Sequence, residues 1–445
     1  MSIWHIIIKN NEKDAFDMKV SASEEKYILN TVQSGDAPSA LGTNIFKELR
    51  LAKMEPTDAV LDLLHLSLGI YTTDQVVSRK AHGFQEWSRH FKIYMPVSSL
   101  NKWENAKEDL QKLLSFLSGD RWEIYFRQNI ITEGKQIKLI KSYNPDKIET
   151  VALFSGGMDS FIGAIDLLEN KKKVAFVSHY KRGADKSAQT KLYENLRKKY
   201  GDESFINYQF YVQPNQQQTK ASKEESSRAR SFLFLCLGLI IANTLDDKIG
   251  FIIPENGLIS LNVPLTGTRL SSHSTRTTHP YYLSTFKKII LELGINNKIT
   301  NPFQWQTKGE MMIGCKNQKL LKKLNPETLS CSHSENSRYS GMRPGIQCGY
   351  CVPCIIRQSA EKKSGIAGTE YVHNITQNIP SQRLVSGSDI RAFKLSLKRM
   401  ENRPRRTIMF DILSSGPLPF ESKKELDEYI DVYQRGMNEV REFLQ

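Results

Sequence analysis

One stretch of ten residues, 151–160, carries the side chains best suited to phosphate chemistry, and it reads VALFSGGMDS. An apolar segment runs directly into Ser-Gly-Gly and then into a helical pattern. The glycines let the backbone turn tightly against an anion, and the N–H groups at the helix start favour phosphate. This pattern predicts a nucleotide-phosphate loop made by Phe154, Ser155, Gly156, Gly157, Met158, Asp159 and Ser160, with Asp159 orienting a Mg²⁺ ion. The alternative is an ordinary Gly-Gly turn capped by Ser and Asp. No Gly-Lys-Ser/Thr occurs in the chain, which excludes the P-loop of the kinase-like NTPases.

Arg230 is a second candidate for contact with phosphate. It opens the apolar helix pattern that begins at residue 231, on the side where the strands of an α/β sheet end and ligands bind. A guanidinium there can neutralise a phosphate or a departing pyrophosphate. Arg228 is a weaker candidate of the same kind. The alternative for both is a solvated arginine beside a helix.

Four cysteines form a candidate metal site: Cys331, Cys348, Cys351 and Cys354. Three have the close C-x2-C-x2-C spacing, and four thiolates suit a closed tetrahedral Zn²⁺ site that braces the fold. An iron–sulfur cluster is the alternative, since ferredoxins also use closely spaced cysteines. His333 is a substitute ligand that four cysteines make unnecessary.

The elements that must position these residues alternate between strand and helix from residue 149 to residue 254. That alternation predicts a parallel sheet with helices on both faces, so the fold class is α/β. We place the nucleotide-binding domain at 149–325 and the zinc-binding segment at 326–380. Residues 1–145 are predicted to be an α+β domain of unknown role, and 381–445 a basic helical tail.

The composition favours an acidic ligand and argues against a membrane protein. The 445 residues hold 62 Lys and Arg against 48 Asp and Glu, a net charge of +14. Such a charge suits nucleotide phosphates, nucleic acid or an acidic partner, and equally a solvated basic surface. The longest apolar run is shorter than a membrane span, and no signal peptide is recognisable. Clustered cysteines with no disulfide framework indicate a reducing compartment, so we expect a cytoplasmic protein.

The SGGxDS loop and the distant CGxCxxC segment together resemble the 7-cyano-7-deazaguanine synthase family (QueC-like proteins) of pyrophosphate-loop (PP-loop) ATP pyrophosphatases. The resemblance covers about residues 149–360. It includes Arg230 in Ala-Arg-Ser-Phe, Lys308 in Thr-Lys-Gly-Glu, and Cys331 after Thr-Leu-Ser. It implies a HUP-like PP-loop domain with ATP, Mg²⁺ and Zn²⁺, acting as a carbon–nitrogen ligase. A carboxylate on a 7-carboxy-7-deazaguanine-type substrate would receive AMP from ATP, and a nitrogen nucleophile would displace it. Asp159, Arg230 and Lys308 would be the catalytic residues.

The chain departs from that family where the base would be bound. The family's Asp-Tyr-Ser-Gly-Tyr-Pro-Asp loop is missing, and residues 254–264 and 274–280 stand in its place. We expect Glu255 and Asn256 to bind a guanine-like edge, and Arg269, Arg276 and His279 to hold a carboxylate or phosphate. The alternative is an exposed Ser/Thr loop with scattered cations.

The extra N-terminal third and basic tail resemble the long QueC-like component of bacterial anti-phage Qat systems. That resemblance implies a deazaguanine-like substrate and a protein partner from the same defence system. Two alternatives stay open. The loop can serve an enzyme that acts on RNA, as in tRNA modification, or the chain can be a non-catalytic nucleotide-binding scaffold.

Overall fold

A computed structural model of the chain describes residues 2–32, 41–129, 148–181, 183–215, 224, 226–265, 276–377, 387–401 and 403–445. Two sheets are seen in these ranges. The strands are β1 (Ile3–Lys9), β2 (Glu25–Asn30), β3 (Leu41–Thr43), β4 (His90–Val97), β5 (Arg121–Gln128), β6 (Thr150–Leu153), β7 (Val174–Tyr180), β8 (Phe205–Pro214), β9 (Gly250–Ile252) and β10 (Ile299–Thr300).

Helices surround both sheets. They are α1 (Ile45–Leu51), α2 (Asp58–Val76), α3 (Arg79–His82), α4 (Leu100–Ser118), α5 (Met158–Glu169), α6 (Gly183–Tyr200), α7 (Arg230–Leu245), α8 (Gly257–Leu261), α9 (Pro280–Glu292), α10 (Lys308–Gly314), α11 (Gln318–Leu324), α12 (Val352–Ser364), α13 (Ser388–Met400), α14 (Arg405–Leu413) and α15 (Lys423–Leu444). Short 3₁₀ helices span Asp202–Ser204, Asn325–Glu327 and Ser334–Ser340. No helix in the described ranges combines the length and apolarity needed to cross a membrane.

The N-terminal sheet has the order β2-β1-β4-β5, and each neighbouring pair is parallel. The α+β prediction for residues 1–145 is therefore wrong, because this is a parallel α/β layer. The strand and helix patterns were visible in the sequence, but strand direction depends on how the connections cross. The connections from β2 to β4 and from β4 to β5 contain helices that return the chain to the same end of the sheet, so each new strand runs parallel to the one before.

The second sheet has the order β10-β9-β6-β7-β8-β3 and confirms the predicted parallel α/β sheet. Its strands run parallel except for β3, which pairs antiparallel with β8 and comes from the N-terminal third. Strand β6 is central and buried on both faces. Val151 and Leu153 pack on the α7 side, whereas Ala152 and Phe154 pack with α5 and α6. The segment that leaves the carboxyl end of β6 therefore begins between the ends of the neighbouring strands β9 and β7, and not at a lateral edge of the sheet.

Two helices that are buried on almost every side, α2 and α7, fill the space between the sheets. Glycines let them approach closely. A Cβ at Gly69 would lie 2.1 Å from Ile8 Cδ1, and one at Gly238 would lie 2.3 Å from the Phe251 ring. Helices of this kind are stable only when covered on every side, so one continuous core joins the N-terminal third to the second sheet.

The C-terminal tail forms a separate apolar cluster with α8 and α12. Helices α13, α14 and α15 supply most of it, including Phe393, Ile412, Val432 and Tyr433. The basic residues predicted for this region lie on its outer side. The tail is therefore packed against the segments that follow β9 and β10.

Candidate functional site

The glycine loop joins the end of β6 to the start of α5, as the sequence predicted. Gly156 has a φ of +83°, which a residue with a Cβ rarely adopts, and a Cβ there would lie 3.0 Å from Gln189 Cγ. Ser155 is exposed, and its hydroxyl accepts the Gly157 N–H at 3.2 Å. The Ser160 hydroxyl lies 3.1 Å from that of Ser155. The loop thus brings two serine hydroxyls together at the N-terminus of α5.

Phe154 and Met158 contribute only their backbone to this loop. Both side chains are fully buried, and the Phe154 ring stacks on Tyr193 with 4.5 Å between ring centroids. The Phe154 carbonyl accepts a hydrogen bond from the Ser178 hydroxyl at 2.6 Å. Their side chains anchor the loop to the core beneath it and do not reach a ligand.

A buried cluster of ionisable groups lies directly below the loop. Asp159 pairs with the Lys308 ammonium, and both side chains are less than a tenth exposed. Asn256 donates to the second Asp159 oxygen through its side-chain amide at 2.6 Å and its backbone N–H at 3.1 Å. Asn256 Nδ2 also lies 3.3 Å from Glu255 Oε1. Three segments distant in sequence therefore meet at the carboxyl ends of β6 and β9.

The charges in this cluster are set by burial and by Lys308. Burial alone would raise the pKa of Asp159, but the Lys308 charge and hydrogen bonds from Glu255 and Asn256 outweigh it and lower that pKa to about 2. Burial, with the adjacent Asp159 charge, raises the pKa of Glu255 well above its usual range. The cluster therefore combines an Asp159 carboxylate with a Glu255 carboxyl that keeps its proton to a higher pH than a free carboxyl does. Carboxylate oxygens are the ligands Mg²⁺ prefers, so the ionised Asp159 is the group of this cluster that would hold such an ion, in exchange for its contacts with Lys308 or Asn256.

Arg230 lies at the start of α7, beside the carboxyl end of β7. Its Nε donates to His179 Nδ1 and its Nη2 to the His179 carbonyl, both at 3.2 Å. Burial and the Arg230 charge lower the pKa of His179 well below its usual range, so the imidazole is neutral. Gln189 Nε2 donates to the carbonyls of Ser155 and His179, which ties Arg230 to the glycine loop. The Arg230 side chain is 37% exposed, and its Nη2 lies 4.0 Å from the Asp185 carboxylate.

The N-terminal third fixes the segment before Arg230. Asp74, at the end of α2, accepts the Ala229 N–H at 3.0 Å. The same carboxylate is buried in a network with Arg79, Arg89 and Asp120. Arg228 points into that region, where it donates to the Ser118 carbonyl at 2.8 Å and lies over the Trp87 ring. Arg228 is thus used inside the protein, whereas Arg230 is partly exposed beside His179.

The four predicted cysteines come together in a candidate metal centre. The sulfur atoms of Cys331, Cys348, Cys351 and Cys354 all lie within 4.8 Å of one another. Backbone N–H groups of His333 and Cys348 point at Cys331 Sγ, each at 3.2 Å, as they do around bound thiolates. Four sulfur donors at this spacing fit tetrahedral Zn²⁺ and leave no open position. Zinc there would hold the segment together.

The cysteine segment also contacts the glycine loop. The Leu329 N–H donates to the Gly156 carbonyl at 2.8 Å, and the Ser330 hydroxyl accepts the Met158 N–H at 3.3 Å. Buried Arg357 bonds the Thr328 carbonyl at 3.0 Å and so links α12 to the same segment. A metal bound two residues after Leu329 would thus stiffen the backbone that closes the loop.

Most of the predicted base-binding residues have other uses. Asn256 is buried, and its amide is taken by Asp159, Glu255 and the Ile259 N–H, so it holds Asp159 in place. Arg276 donates to the Phe116 carbonyl at 2.8 Å and lies over the Phe116 ring. Buried His279 caps α9 and bonds the Ser415 hydroxyl. Arg269 lies outside the described residues.

Comparisons with known proteins leave the site to be interpreted from its own chemistry. No protein-family model matches the chain, and no curated protein matches it either.

Proposed function

We propose that this protein is an ATP-dependent enzyme that transfers AMP to a carboxylate and then passes the acyl group to a nitrogen nucleophile. The observation that carries the proposal is the juxtaposition of two features at the carboxyl end of β6. A glycine loop opens α5, and Asp159 in the first turn of that helix forms a buried ion pair with Lys308, the first residue of α10. Anion-binding N–H groups and an ion pair at one sheet edge suit a nucleotide triphosphate.

The proposed reaction has two steps. A carboxylate oxygen of the substrate attacks the α-phosphorus of ATP, the bond to the bridging oxygen breaks, and pyrophosphate leaves with the electron pair. A nitrogen nucleophile then attacks the acyl carbon, AMP leaves, and the nitrogen loses a proton. AMP departs far more easily than oxide, which is why the carboxylate requires activation.

Each residue of the site has a role in that scheme. The loop N–H groups and the hydroxyls of Ser155 and Ser160 bind the phosphates, and Arg230 offsets the charge of the leaving pyrophosphate. Lys308 contacts the α-phosphate as its charge develops. A Mg²⁺ ion held by Asp159 and the phosphates would supply further charge neutralisation. The cysteine-bound Zn²⁺ would keep residues 328–331 against the loop.

The resemblance to the deazaguanine synthases supports a 7-carboxy-7-deazaguanine-type acid as the substrate. The acceptor is ammonia or an amine on a protein of the same anti-phage system. Because Arg276 and His279 are engaged elsewhere, the base would be bound by residues other than these two. Partly buried Glu255 stays a candidate, since its protonated carboxyl can both donate and accept.

Isotope exchange between pyrophosphate and ATP tests the first step, because adenylation is reversible. We expect exchange that depends on the carboxylic acid and falls at least about 100-fold in Asp159→Asn, as when one electrostatic stabiliser is lost. Asp166→Asn, on the same helix but away from the loop, is the matched control and should retain exchange. Equal exchange in wild type and Asp159→Asn would contradict the assignment of this site.

One observation favours a second candidate, in which the activated group is on RNA. Lys394, Lys398 and Arg399 are exposed along one side of α13. A cationic face of this kind suits a phosphate backbone. An RNA gel shift that weakens steeply with salt, and weakens again in Lys394→Ala/Lys398→Ala, would support it. Binding that is independent of salt would exclude it.

A further inference from the structure

The last helix of the chain contacts both segments that bring partners to Asp159. Helix α15 begins at Lys423, more than 100 residues after Lys308. Its residue Glu439 is 6% exposed and accepts hydrogen bonds from the Thr307 hydroxyl and from the Gly309 N–H, the latter at 3.2 Å. These two donors flank Lys308 on either side. One carboxylate therefore holds the backbone on both sides of the lysine.

Glycine at position 309 is what allows this contact. A Cβ on Gly309 would lie 2.5 Å from Glu439 Oε1, inside any tolerable contact distance. The carboxylate thus occupies the space where a side chain would otherwise be. A glycine inside a helix costs about 1 kcal/mol relative to alanine, so its presence here indicates that the close approach matters.

A second set of contacts holds the same helix in register. Glu310 closes a capping box with Thr307, and its other oxygen accepts from Arg435 Nε at 2.7 Å. Arg435 also donates to the Trp305 carbonyl at 2.7 Å. Helix α10 is therefore held by α15 at its first turn, where Lys308 begins it.

Helix α15 also covers the segment that carries Asn256. A Cβ at Gly257 would lie 2.6 Å from Val432 Cγ2, and one at Gly436 would lie 2.8 Å from Leu258 Cδ2. The two glycines bring α8 and α15 into close contact directly after Asn256. The same helix thus supports both groups that bond Asp159.

We propose that Glu439 is a positioning residue that sets Lys308 on Asp159, and that α15 is an integral wall of the site. The positional claim stands on the contacts alone, and its consequence for catalysis rests on the proposed function. Without the Glu439 carboxylate, the Thr307 hydroxyl and the Gly309 N–H lose their acceptor, and the first turn of α10 loosens. A displaced Lys308 would then slow adenylation without abolishing ATP binding.

Two measurements on the full-length protein test this. Hydrogen–deuterium exchange of peptides covering 305–314 reports the first turn of α10 directly, and pyrophosphate–ATP exchange reports catalysis. We expect Glu439→Ala to exchange faster in 305–314 and to lower the turnover number at least tenfold with little change in KM for ATP. Glu439→Gln keeps one acceptor oxygen and should fall between wild type and Glu439→Ala. Glu442→Ala, exposed on the same helix, is the control and should match wild type.

The outcomes separate the two proposals. If the deuterium exchange of residues 305–314 is the same in wild type and both Glu439 variants, the positioning role is refuted, whatever the activity of the variants. In another outcome, deuterium exchange of residues 305–314 becomes faster while KM for ATP rises and the turnover number stays the same. Glu439 then does not position Lys308, and this result also refutes the proposal. If wild type shows no exchange of pyrophosphate, the proposed function fails and deuterium exchange alone decides the role of Glu439.

Discussion

The protonated state of Glu255 leads to a quantitative prediction about stability. Burial and the neighbouring Asp159 charge raise its pKa above the ordinary value of 4.5. In the unfolded chain the carboxyl loses its proton near that value, while the folded protein keeps it. The free energy of unfolding should therefore fall as pH rises above 4.5, until the folded-state pKa is reached. Glu255→Gln removes this loss, because an amide does not titrate.

The size of the effect follows from proton linkage. One proton retained by the folded state changes the free energy of unfolding by about 1.4 kcal/mol per pH unit. Between pH 5 and pH 7, Glu255→Gln should thus gain up to about 3 kcal/mol relative to wild type. The amide also keeps the hydrogen bond to Asp159 that the protonated carboxyl makes. The lowered pKa of Asp159 has the opposite consequence. Its carboxylate stabilises the fold at pH values above 3.8, the pKa in the unfolded chain, and this stabilisation is lost as pH falls toward 2.

Urea denaturation at a series of pH values between 5 and 8 measures how the free energy of unfolding depends on pH. The control is Glu194→Gln, a substitution at an exposed site. Each variant differs from wild type in a single titrating group, so its difference in unfolding free energy from wild type reports one carboxyl. The advantage of Glu255→Gln should grow with pH and then level off, while Glu194→Gln follows wild type. A constant difference across the series would show that Glu255 is already ionised, and the charge assignment of the cluster would be wrong.

Further predictions concern the metal, the loop and the arginine. Elemental analysis of the purified protein should find one Zn²⁺ per chain. Cys348→Ser should lose the metal, and residues 328–331 should then lose their protection from deuterium exchange. Retention of the metal in Cys348→Ser would contradict the four-sulfur centre. Gly156→Ala should cost about 1–2 kcal/mol in unfolding free energy from its φ of +83°, and should weaken ATP binding measured by calorimetry. Arg230→Ala should slow pyrophosphate–ATP exchange at least tenfold more than Arg228→Ala does; equal effects would remove Arg230 from the site.

Local patterns were sufficient for the second sheet and for the loop. Short apolar strands alternating with helices between residues 149 and 254 predicted the parallel sheet, and Ser-Gly-Gly after a strand predicted the turn into α5. The spacing of the cysteines predicted a cluster that the structure brings together. In each case the determining information lies within a few residues along the chain.

Contacts between distant segments could not be read in the same way. Glu439 bonds Thr307 across 132 positions, and Ser330 bonds Met158 across 172, so neither has a local signature. Arg276 was predicted to bind a ligand because its sequence neighbours are polar. In the structure it instead donates to the carbonyl of the distant Phe116 and lies over the ring of that residue. The direction of the N-terminal strands was missed because pairing depends on how the chain crosses between them.

Transfer of labelled oxygen from the carboxylate to AMP reports directly whether the protein activates a carboxylate. The protein is incubated with Mg²⁺, ATP and 7-carboxy-7-deazaguanine carrying ¹⁸O in its carboxylate, and the nucleotide products are analysed by mass spectrometry. We expect AMP that contains one ¹⁸O atom, together with pyrophosphate, and we expect neither product from Asp159→Ala. Formation of ADP, or of AMP without the label, would contradict activation of the carboxylate at this site.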